Sequence, residues 1–294
     1  MATSNVFVAA QQLASRLKQG GVKVFDCSFH LNKRNALAEF QNKRIPGASY
    51  FDIDVVCDPN DPLPHMLPTP EQFWKHMEKE GDFQEVVLYD ASGYYTASAR
   101  VFWMCKIFGL DQVTILEGGL QSWEAAGLEV EQTELAEKEK QEGKLSWDST
   151  VMRDHLLYNK AKIHSLVSQR EKDPSSSSSS PLIIDARSAA RFCGEAKESR
   201  PGLRSGHIPT STNLPYSELF PEGGGSFLPQ EEVRKKFEAI GVKFDGVEGK
   251  PQEIVTSCGS GVTAAVVSLG LYWCGVGVDQ VAMYDGSWTE WGKE

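Results

Sequence analysis

The chain repeats one series of short segments in its two halves, and this duplication is the strongest constraint on its fold. Apolar runs ending in an aspartate occur at Val22–Asp26 and again at Leu182–Asp185. A second pair of apolar runs, Glu85–Asp90 and Glu253–Cys258, enters loops that contain serine and glycine. The 294 residues suffice for two domains of roughly 100–200 residues each. We therefore expect one domain in each half.

Short apolar runs alternate with helical stretches in both halves, which predicts the fold class. Val113–Leu116 and Val281–Tyr284 read as strands, whereas Thr96–Phe108 and Val262–Cys274 read as helices. Strands that are apolar on both faces and separated by helices are typical of parallel sheets. The sequence predicts an α/β protein with two tandem domains, each a mainly parallel sheet flanked by helices.

The predicted domains cover residues 1–135 and 159–294, with a connector at 136–158. Glutamate and lysine alternate without an apolar face near the start of this connector, as expected for a solvated segment. A serine-rich loop at 174–180 contains six consecutive serines and has nothing to bury. We expect a plain spacer there, with phosphorylation as the alternative.

The net charge and hydropathy exclude two classes of partner. A formal charge of −10 and a pI near 5.2 predict that the chain does not bind nucleic acid, because phosphate backbones would be repelled. No window approaches the roughly 18 apolar residues of a membrane helix. The expected location is the cytoplasm. Import into mitochondria is the alternative, since the segment from Ala2 to Phe25 carries basic but no acidic residues.

The six cysteines show no CxxC pair and no regular spacing, which indicates free thiols, and with the histidines they show no ligand spacing for a metal. One of them, Cys258, stands in the sequence Cys258-Gly259-Ser260-Gly261-Val262-Thr263 between a predicted strand and a predicted helix. Glycines allow the backbone amides of such a loop to converge, and the helix N-terminus adds positive potential. The loop therefore favours a thiolate nucleophile at Cys258. The alternative, a small buried residue at a strand end, stays open at this point.

The corresponding loop of the first half has Asp90 at the position of Cys258 and cannot perform thiol chemistry. We therefore expect only the second domain to be catalytic.

These motifs together resemble the tandem-domain members of the rhodanese superfamily, most closely the 3-mercaptopyruvate sulfurtransferase branch. The loop after Cys258 is neutral, as in that branch, whereas thiosulfate-preferring rhodaneses carry basic residues there. Further motifs that carry the resemblance are Arg44-Ile45-Pro46-Gly47-Ala48, Phe51-Asp52-Ile53-Asp54, His65-Met66-Leu67-Pro68, Asp185-Ala186-Arg187, Gly206-His207-Ile208-Pro209 and Asp285-Gly286-Ser287-Trp288. The second half departs from the family pattern at Thr210-Ser211, where Gly-Ala is usual.

The resemblance implies transfer of sulfur from 3-mercaptopyruvate to a thiol acceptor, or to cyanide, through a persulfide on Cys258, with release of pyruvate and without a cofactor. Thioredoxin or a sulfur-carrier protein would be a typical acceptor. Arg191 and Arg200 would bind the carboxylate and keto oxygen of the donor. The backbone of Gly259, Gly261, Val262 and Thr263 would surround the sulfur.

The resemblance further implies a hydrogen-bonded chain of Ser260, His65 and Asp54 across the domain interface. Such a chain could protonate the pyruvate enolate as it leaves. From the sequence alone, His65 reads better as a histidine packed in a proline-rich loop. His207 is expected to be structural.

Other functions stay open at this stage. A thiosulfate sulfurtransferase would keep the fold and the nucleophile, and a non-catalytic adaptor would keep only the fold. A cysteine phosphatase requires an arginine six positions after the cysteine, where this chain has Ala264. A serine hydrolase based on Ser260 lacks the G-x-S-x-G pattern.

Overall fold

The computed structural model describes residues 6–31, 34–132, 147–173, 180–247 and 249–293. The first half contains the strands β1 (Phe7–Val8), β2 (Val22–Asp26), β3 (Ser49–Tyr50), β4 (Glu85–Tyr89) and β5 (Val113–Leu116). The second half contains β6 (Leu157–Tyr158), β7 (Leu182–Asp185), β8 (Thr212–Asn213), β9 (Ile254–Ser257) and β10 (Val281–Tyr284).

The strands form two sheets with the same topology. Their orders are β1-β5-β4-β2-β3 and β6-β10-β9-β7-β8, and every pair is parallel. Val24 pairs with Val87 at the centre of the first sheet, as Ile183 pairs with Val255 in the second. The predicted duplication and the α/β fold class are therefore confirmed.

Helices cover both faces of each sheet. Those of the first half are α1 (Ala10–Gln19), α2 (Ala36–Asn42), α3 (Pro70–Glu78), α4 (Thr96–Ile107) and α5 (Gly119–Ala125). Those of the second half are α6 (Lys160–Lys172), α7 (Ala189–Phe192), α8 (Gln230–Ala239), α9 (Val262–Trp273) and α10 (Ser287–Trp291). Short 3₁₀ turns occur at Asp154–Leu156, Tyr216–Leu219 and Val278–Gln280.

The helices α4 and α9 pack against each other and join the two domains. All twelve residues of α4 are buried, and α9 is buried except near its ends. A helix that is apolar on every side, as α9 nearly is, must be covered on every side. The helix α4 also buries the charged Arg100 and Lys106. One hydrophobic core accordingly runs from the α3–α4 face of the first sheet to the α8–α9 face of the second.

The boundaries of the predicted domains stay predictions. Residues 133–146 of the predicted connector lie outside the described part of the chain, and so do residues 174–179 of the serine-rich loop. Two residues at the end of the connector, Leu157 and Tyr158, form β6 and pair with β10. Ser180, the last residue of the serine-rich loop, accepts a hydrogen bond from Arg170 at its carbonyl (3.2 Å).

The departure from the family pattern at Thr210 places a threonine in a left-handed turn. Gly47 occupies the equivalent turn of the first half with φ 74°, and Thr210 adopts nearly the same left-handed backbone with φ 65°. A β-branched residue is strained in this region, whereas glycine is not. The second domain thus keeps the turn of the first at a conformational cost.

We expect Thr210→Gly to raise the free energy of unfolding by about 1 kcal/mol, because the strain of a left-handed non-glycine residue is removed. Urea unfolding of both proteins measures this difference. Gly47→Thr, the matched reverse change, should lower the free energy of unfolding. A destabilised Thr210→Gly variant would contradict the argument.

Candidate active site

The loop between β9 and α9 holds Cys258 in a fixed backbone conformation. Gly261 precedes α9 with φ 78°, and a Cβ atom there would lie 2.8 Å from Nη1 of Arg100. Only glycine fits such a position. The amide of Cys258 donates to Oγ of Ser287 (3.1 Å), and the amide of Trp288 donates to the Cys258 carbonyl (2.9 Å). Hydrogen bonds with the start of α10 therefore fix the backbone of the Cys258 loop.

Cys258 lies in a cleft of about 600 Å³ between the two domains. Its exposed fraction is 2%, so a donor or acceptor must enter the cleft to reach the sulfur. The first domain contributes Phe29, His30, Leu31 and His65 to the lining. The second domain contributes Ala186, Arg187, Ser188, Arg191, Ser199, Arg200, Tyr216, Cys258, Gly259, Ser260, Val262 and Thr263.

Two guanidinium groups lie over the loop. A Cβ atom built on Gly259 would be 3.2 Å from Nη2 of Arg191 and 3.9 Å from Nη1 of Arg200. Nη2 of Arg200 also donates to Oγ of Ser260 (3.4 Å). The loop sequence itself has no cation, but the fold brings two positive charges to it from the segment after β7. The cleft is therefore suited to an anionic ligand beside Cys258.

Glu198 is a buried acid behind the cleft that the sequence reasoning did not single out. Its side chain is 2% exposed and contacts Nε of Arg191 (3.1 Å) and Nη1 of Arg187 (2.8 Å). Arg187 in turn pairs with Asp185 (2.6 Å) and is fully buried. Nothing in the polar stretch around Glu198 distinguishes it in the sequence, because its burial depends on arginines supplied by neighbouring segments.

His65 and Asp54 meet at the first-domain side of the cleft. Oδ1 of Asp54 lies 2.7 Å from Nδ1 of His65, but the two groups are not aligned as a hydrogen bond. Asp54 stays 57% exposed, whereas the side chain of His65 is 6% exposed. The carbonyl of His65 accepts a hydrogen bond from Nη2 of Arg100 (2.5 Å), which fixes the loop.

The structure brings Asp54, His65 and Ser260 near one another, but the hydrogen bonds of the predicted chain stay a prediction. His65 and Ser260 line the same cleft, and Asp54 contacts His65. Within the described residues, the hydrogen bond of the Ser260 hydroxyl goes to Arg200 rather than to His65. A direct link between Ser260 and His65 stays a prediction.

The environment of His65 disfavours its protonated form. Burial, followed by the positive charges of Arg100 and Arg200, lowers the pKa of His65 from 6.5 to about 4. The carboxylate of Asp285 opposes this effect only in part. Asp54 is largely exposed, so water screens its charge. His65 is consequently a neutral imidazole near pH 7.

The equivalent loop of the first domain carries a buried carboxylate in place of the thiol. Asp90 is 3% exposed and accepts hydrogen bonds from the amide and hydroxyl groups of Ser92 and Ser98 (2.6–3.3 Å). The first loop thus provides its own anion.

The other cysteines lie in different surroundings. Burial raises the pKa of Cys105 and of Cys274 to about 12, and that of Cys27 well above its usual value. Burial also raises the pKa of Cys57, and Cys193 is exposed on the surface. Thiols with raised pKa values stay protonated and unreactive.

His207, expected to be structural, stacks on Phe192 with ring centroids 4.0 Å apart. Its Nδ1 lies 2.9 Å from the carbonyl oxygen of the same residue. Across the described part of the chain, no three side chains of His, Cys, Asp or Glu come together as a metal site would require.

The lowered pKa of His65 should appear in the pH dependence of stability. Between pH 6.5 and pH 4 the unfolded chain binds a proton that the folded chain does not, so the free energy of unfolding falls as the pH falls through this window. The full loss is on the order of 3 kcal/mol and levels off below pH 4. Denaturant unfolding of the wild type and His65→Gln measures it, since the variant should lack this contribution.

His155→Gln, which removes an exposed histidine outside the cleft, provides the control for the loss of one imidazole. If the His65→Gln and wild-type curves ran parallel between pH 4 and pH 6.5, a lowered pKa of His65 would be excluded.

Comparison with known proteins identifies the same domain family in both halves of the chain. A family model described as the rhodanese-like domain matches the chain twice, at residues 9–126 and 167–294. The 3-mercaptopyruvate sulfurtransferase of Escherichia coli K12 is 39% identical, over 97% of this chain and 94% of that protein. Thiosulfate/3-mercaptopyruvate sulfurtransferase 1, mitochondrial, of Arabidopsis thaliana is 37% identical, over 100% of this chain and 78% of that protein.

A solved structure shows the same architecture over the whole chain. The crystal structure of SseA from Escherichia coli, described in terms of the "Rhodanese" fold of 3-mercaptopyruvate sulfotransferases, superposes with a TM-score of 0.77 and 34% identity. The match covers 97% of this chain and 99% of the other. None of the helices described here has the length and apolar character needed to cross a bilayer. With two matched domains and full-length relatives, the chain belongs to the rhodanese family.

Proposed function

We propose that this protein is a 3-mercaptopyruvate sulfurtransferase that carries sulfur as a persulfide on Cys258. The arrangement that carries the proposal is the pair of guanidinium groups of Arg191 and Arg200 over Gly259, next to a cysteine at the N-terminus of α9. The family relatives have this activity by name. Both a carboxylate and a sulfur atom can therefore be bound in one cleft.

In the first half-reaction, the thiolate of Cys258 attacks the donor sulfur. The new S–S bond forms as the C–S bond of 3-mercaptopyruvate breaks, and the electron pair passes to the carbon as the pyruvate enolate. Arg191 binds the carboxylate, while Arg200 stabilises the negative charge that develops on the keto oxygen. The amides of the loop from Gly259 to Thr263 stabilise the sulfur anion before and after transfer.

The enolate must take up a proton before pyruvate leaves, and the S–H proton of the donor, which is released as the persulfide ionises, balances this step. A pKa of about 4 leaves His65 neutral, so its ring can relay a proton but does not store an imidazolium charge. Ser260 is suited to donate to the enolate, because its hydroxyl lies beside Arg200. Asp54 then serves to orient the His65 ring across the domain interface.

In the second half-reaction, an acceptor thiolate or cyanide attacks the outer sulfur of the Cys258 persulfide. The S–S bond breaks, the acceptor leaves with the sulfur, and the Cys258 thiolate is restored. The recessed sulfur requires an acceptor with a thiol on a narrow projection, as a small thiol, thioredoxin or a sulfur-carrier protein would provide. We propose the cytoplasm as the site of action. The mitochondrion is the alternative, because one relative is named as mitochondrial.

Thiosulfate is the second candidate donor. The Arabidopsis thaliana relative carries both thiosulfate and 3-mercaptopyruvate in its name. Two guanidinium groups over the loop could also bind the oxygens of thiosulfate. The neutral loop and the two separated arginines nevertheless favour a donor with a carboxylate and a keto group.

A donor comparison tests the proposal directly. We expect the wild type to turn over 3-mercaptopyruvate faster than thiosulfate, with cyanide or a thiol as acceptor. Cys258→Ser should abolish pyruvate formation, since a hydroxyl cannot accept the sulfur, whereas Cys193→Ser provides a surface control with full activity. Normal pyruvate formation by Cys258→Ser would refute the persulfide route. A preference for thiosulfate would keep Cys258 as the nucleophile but change the donor.

The role of Arg200 can be tested by a change that keeps its charge. Arg200→Lys should lower kcat/KM for 3-mercaptopyruvate by about 100-fold, because a lysine cannot reproduce the planar fork of a guanidinium. Steady-state pyruvate formation measures the loss. Arg204→Lys, close in sequence but outside the cleft lining, should change it by less than about twofold. Equal losses in both variants would indicate a general structural effect instead.

A further inference from the structure

The direction of the Arg191 guanidinium is set by a neighbour rather than by Arg191 itself. Nε and Nη2 of Arg191 both donate to Oε2 of Glu198, with 3.1 Å for the Nε contact. These contacts occupy the side edge of the guanidinium, which has five N–H groups in a rigid plane. The end formed by Nη1 and Nη2 keeps its remaining donors and lies nearest Gly259, at 3.9 and 3.2 Å from a Cβ built there. The free end of Arg191 thus points at the loop of Cys258.

Glu198 is itself fixed from the interior of the domain. Its Oε1 accepts from Nη1 of Arg187 (2.8 Å). Arg187 also donates to Asp185 and to the carbonyl of Gly206 (2.8 Å), and its guanidinium lies 4.3 Å from the ring of Trp288. An unbroken series of ion pairs therefore runs from Asp185 at the end of β7, through Arg187 and Glu198, to Arg191 in the cleft.

We propose that Glu198 is a positioning residue that determines the specificity for the sulfur donor, by presenting the free end of Arg191 to a planar carboxylate. This inference rests on the proposed function. A carboxylate that pairs with a fixed fork is held in one orientation, which places the sulfur of a three-carbon donor against Cys258. Thiosulfate is compact and has no carboxylate, so it depends on the positive charge of the cleft more than on the direction of Arg191.

Two substitutions separate position from charge. Glu198→Asp keeps the negative charge that compensates Arg187. Because its side chain is shorter by one methylene, its carboxylate no longer reaches Arg191. Glu198→Gln keeps the length and an oxygen acceptor for Arg191 but removes the charge. Glu195→Gln, an exposed acid three residues earlier, is the matched control.

The experiment measures kcat and KM of the full chain with 3-mercaptopyruvate and with thiosulfate, using cyanide as acceptor. We expect Glu198→Asp to raise KM for 3-mercaptopyruvate by about tenfold with kcat little changed, and Glu198→Gln to raise it by less than about threefold. The ratio of kcat/KM for 3-mercaptopyruvate over thiosulfate should fall by about tenfold in Glu198→Asp. A larger effect of Glu198→Gln, equal effects on both donors, or no effect of Glu198→Asp would overturn the proposal.

Pyruvate binding, measured by calorimetry, provides a readout that does not require turnover. Pyruvate keeps the carboxylate and keto oxygen, so Glu198→Asp should weaken its binding by about tenfold relative to the wild type. A wild type that failed to turn over 3-mercaptopyruvate would refute the proposed function, and the pyruvate affinities would still decide the role of Glu198. Thermal unfolding followed by circular dichroism checks that each variant is folded, and equal pyruvate affinities in folded proteins would refute the positioning role.

Discussion

The buried ion pair between Arg100 of α4 and Asp285 after β10 is the interaction on which the assembled site depends. Nη1 of Arg100 lies 2.6 Å from Oδ1 of Asp285, and both side chains are almost fully buried. The same two residues hold the His65 loop, through the carbonyl of His65 and the amide of Leu67 (2.8 Å). Removing one partner would leave a buried charge without compensation, which typically costs about 3–5 kcal/mol. The pair therefore ties the first domain to the floor of the second domain's site.

The two domains share one loop architecture but hold different groups in it, Asp90 in the first and Cys258 in the second. In the first domain, Asp90 fills the loop with a carboxylate that Ser92 and Ser98 satisfy. In the second domain the same place holds Cys258, and the surrounding charges come from Arg191 and Arg200. The hydrogen bonds of Asp90 leave its carboxylate no further ligand to bind. In the second domain, Arg191 and Arg200 keep N–H donors that can bind a ligand beside the Cys258 sulfur. The chemistry of the two halves differs in what occupies the loop and much less in backbone architecture.

The sequence predicted most of what depends on local pattern. The apolar runs gave the strands β2, β7 and β10, and the repeat predicted the two sheets, because strand burial leaves a direct signal in composition. The loop at Cys258 could be singled out as a candidate site by its glycines. Arg191 and Arg200 could be assigned only through the family resemblance, since an arginine in a polar segment has no local signature.

Residues that act through tertiary partners escaped the sequence reasoning. Arg100 lies within a buried helix, and its charge is compensated by Asp285 from the other domain. Glu198 is buried because Arg187 and Arg191 converge on it. Thr210 is a different case, because a β-branched residue adopts a left-handed backbone that the sequence would not predict. Burial and strain of this kind are properties of the folded chain, and no short segment specifies them.

The packing of α4 on α9 makes each domain depend on the other for the burial of its central helix. Each helix is buried almost completely, so a separated half would expose an apolar face to water. The proposed nucleophile Cys258 and the neutral His65 also belong to different halves. A fragment ending before β6 or beginning there would hold only part of the site and would tend to aggregate. Each domain therefore serves as the cover for the apolar helix of the other, and the cleft that holds Cys258 exists only while both halves stay together.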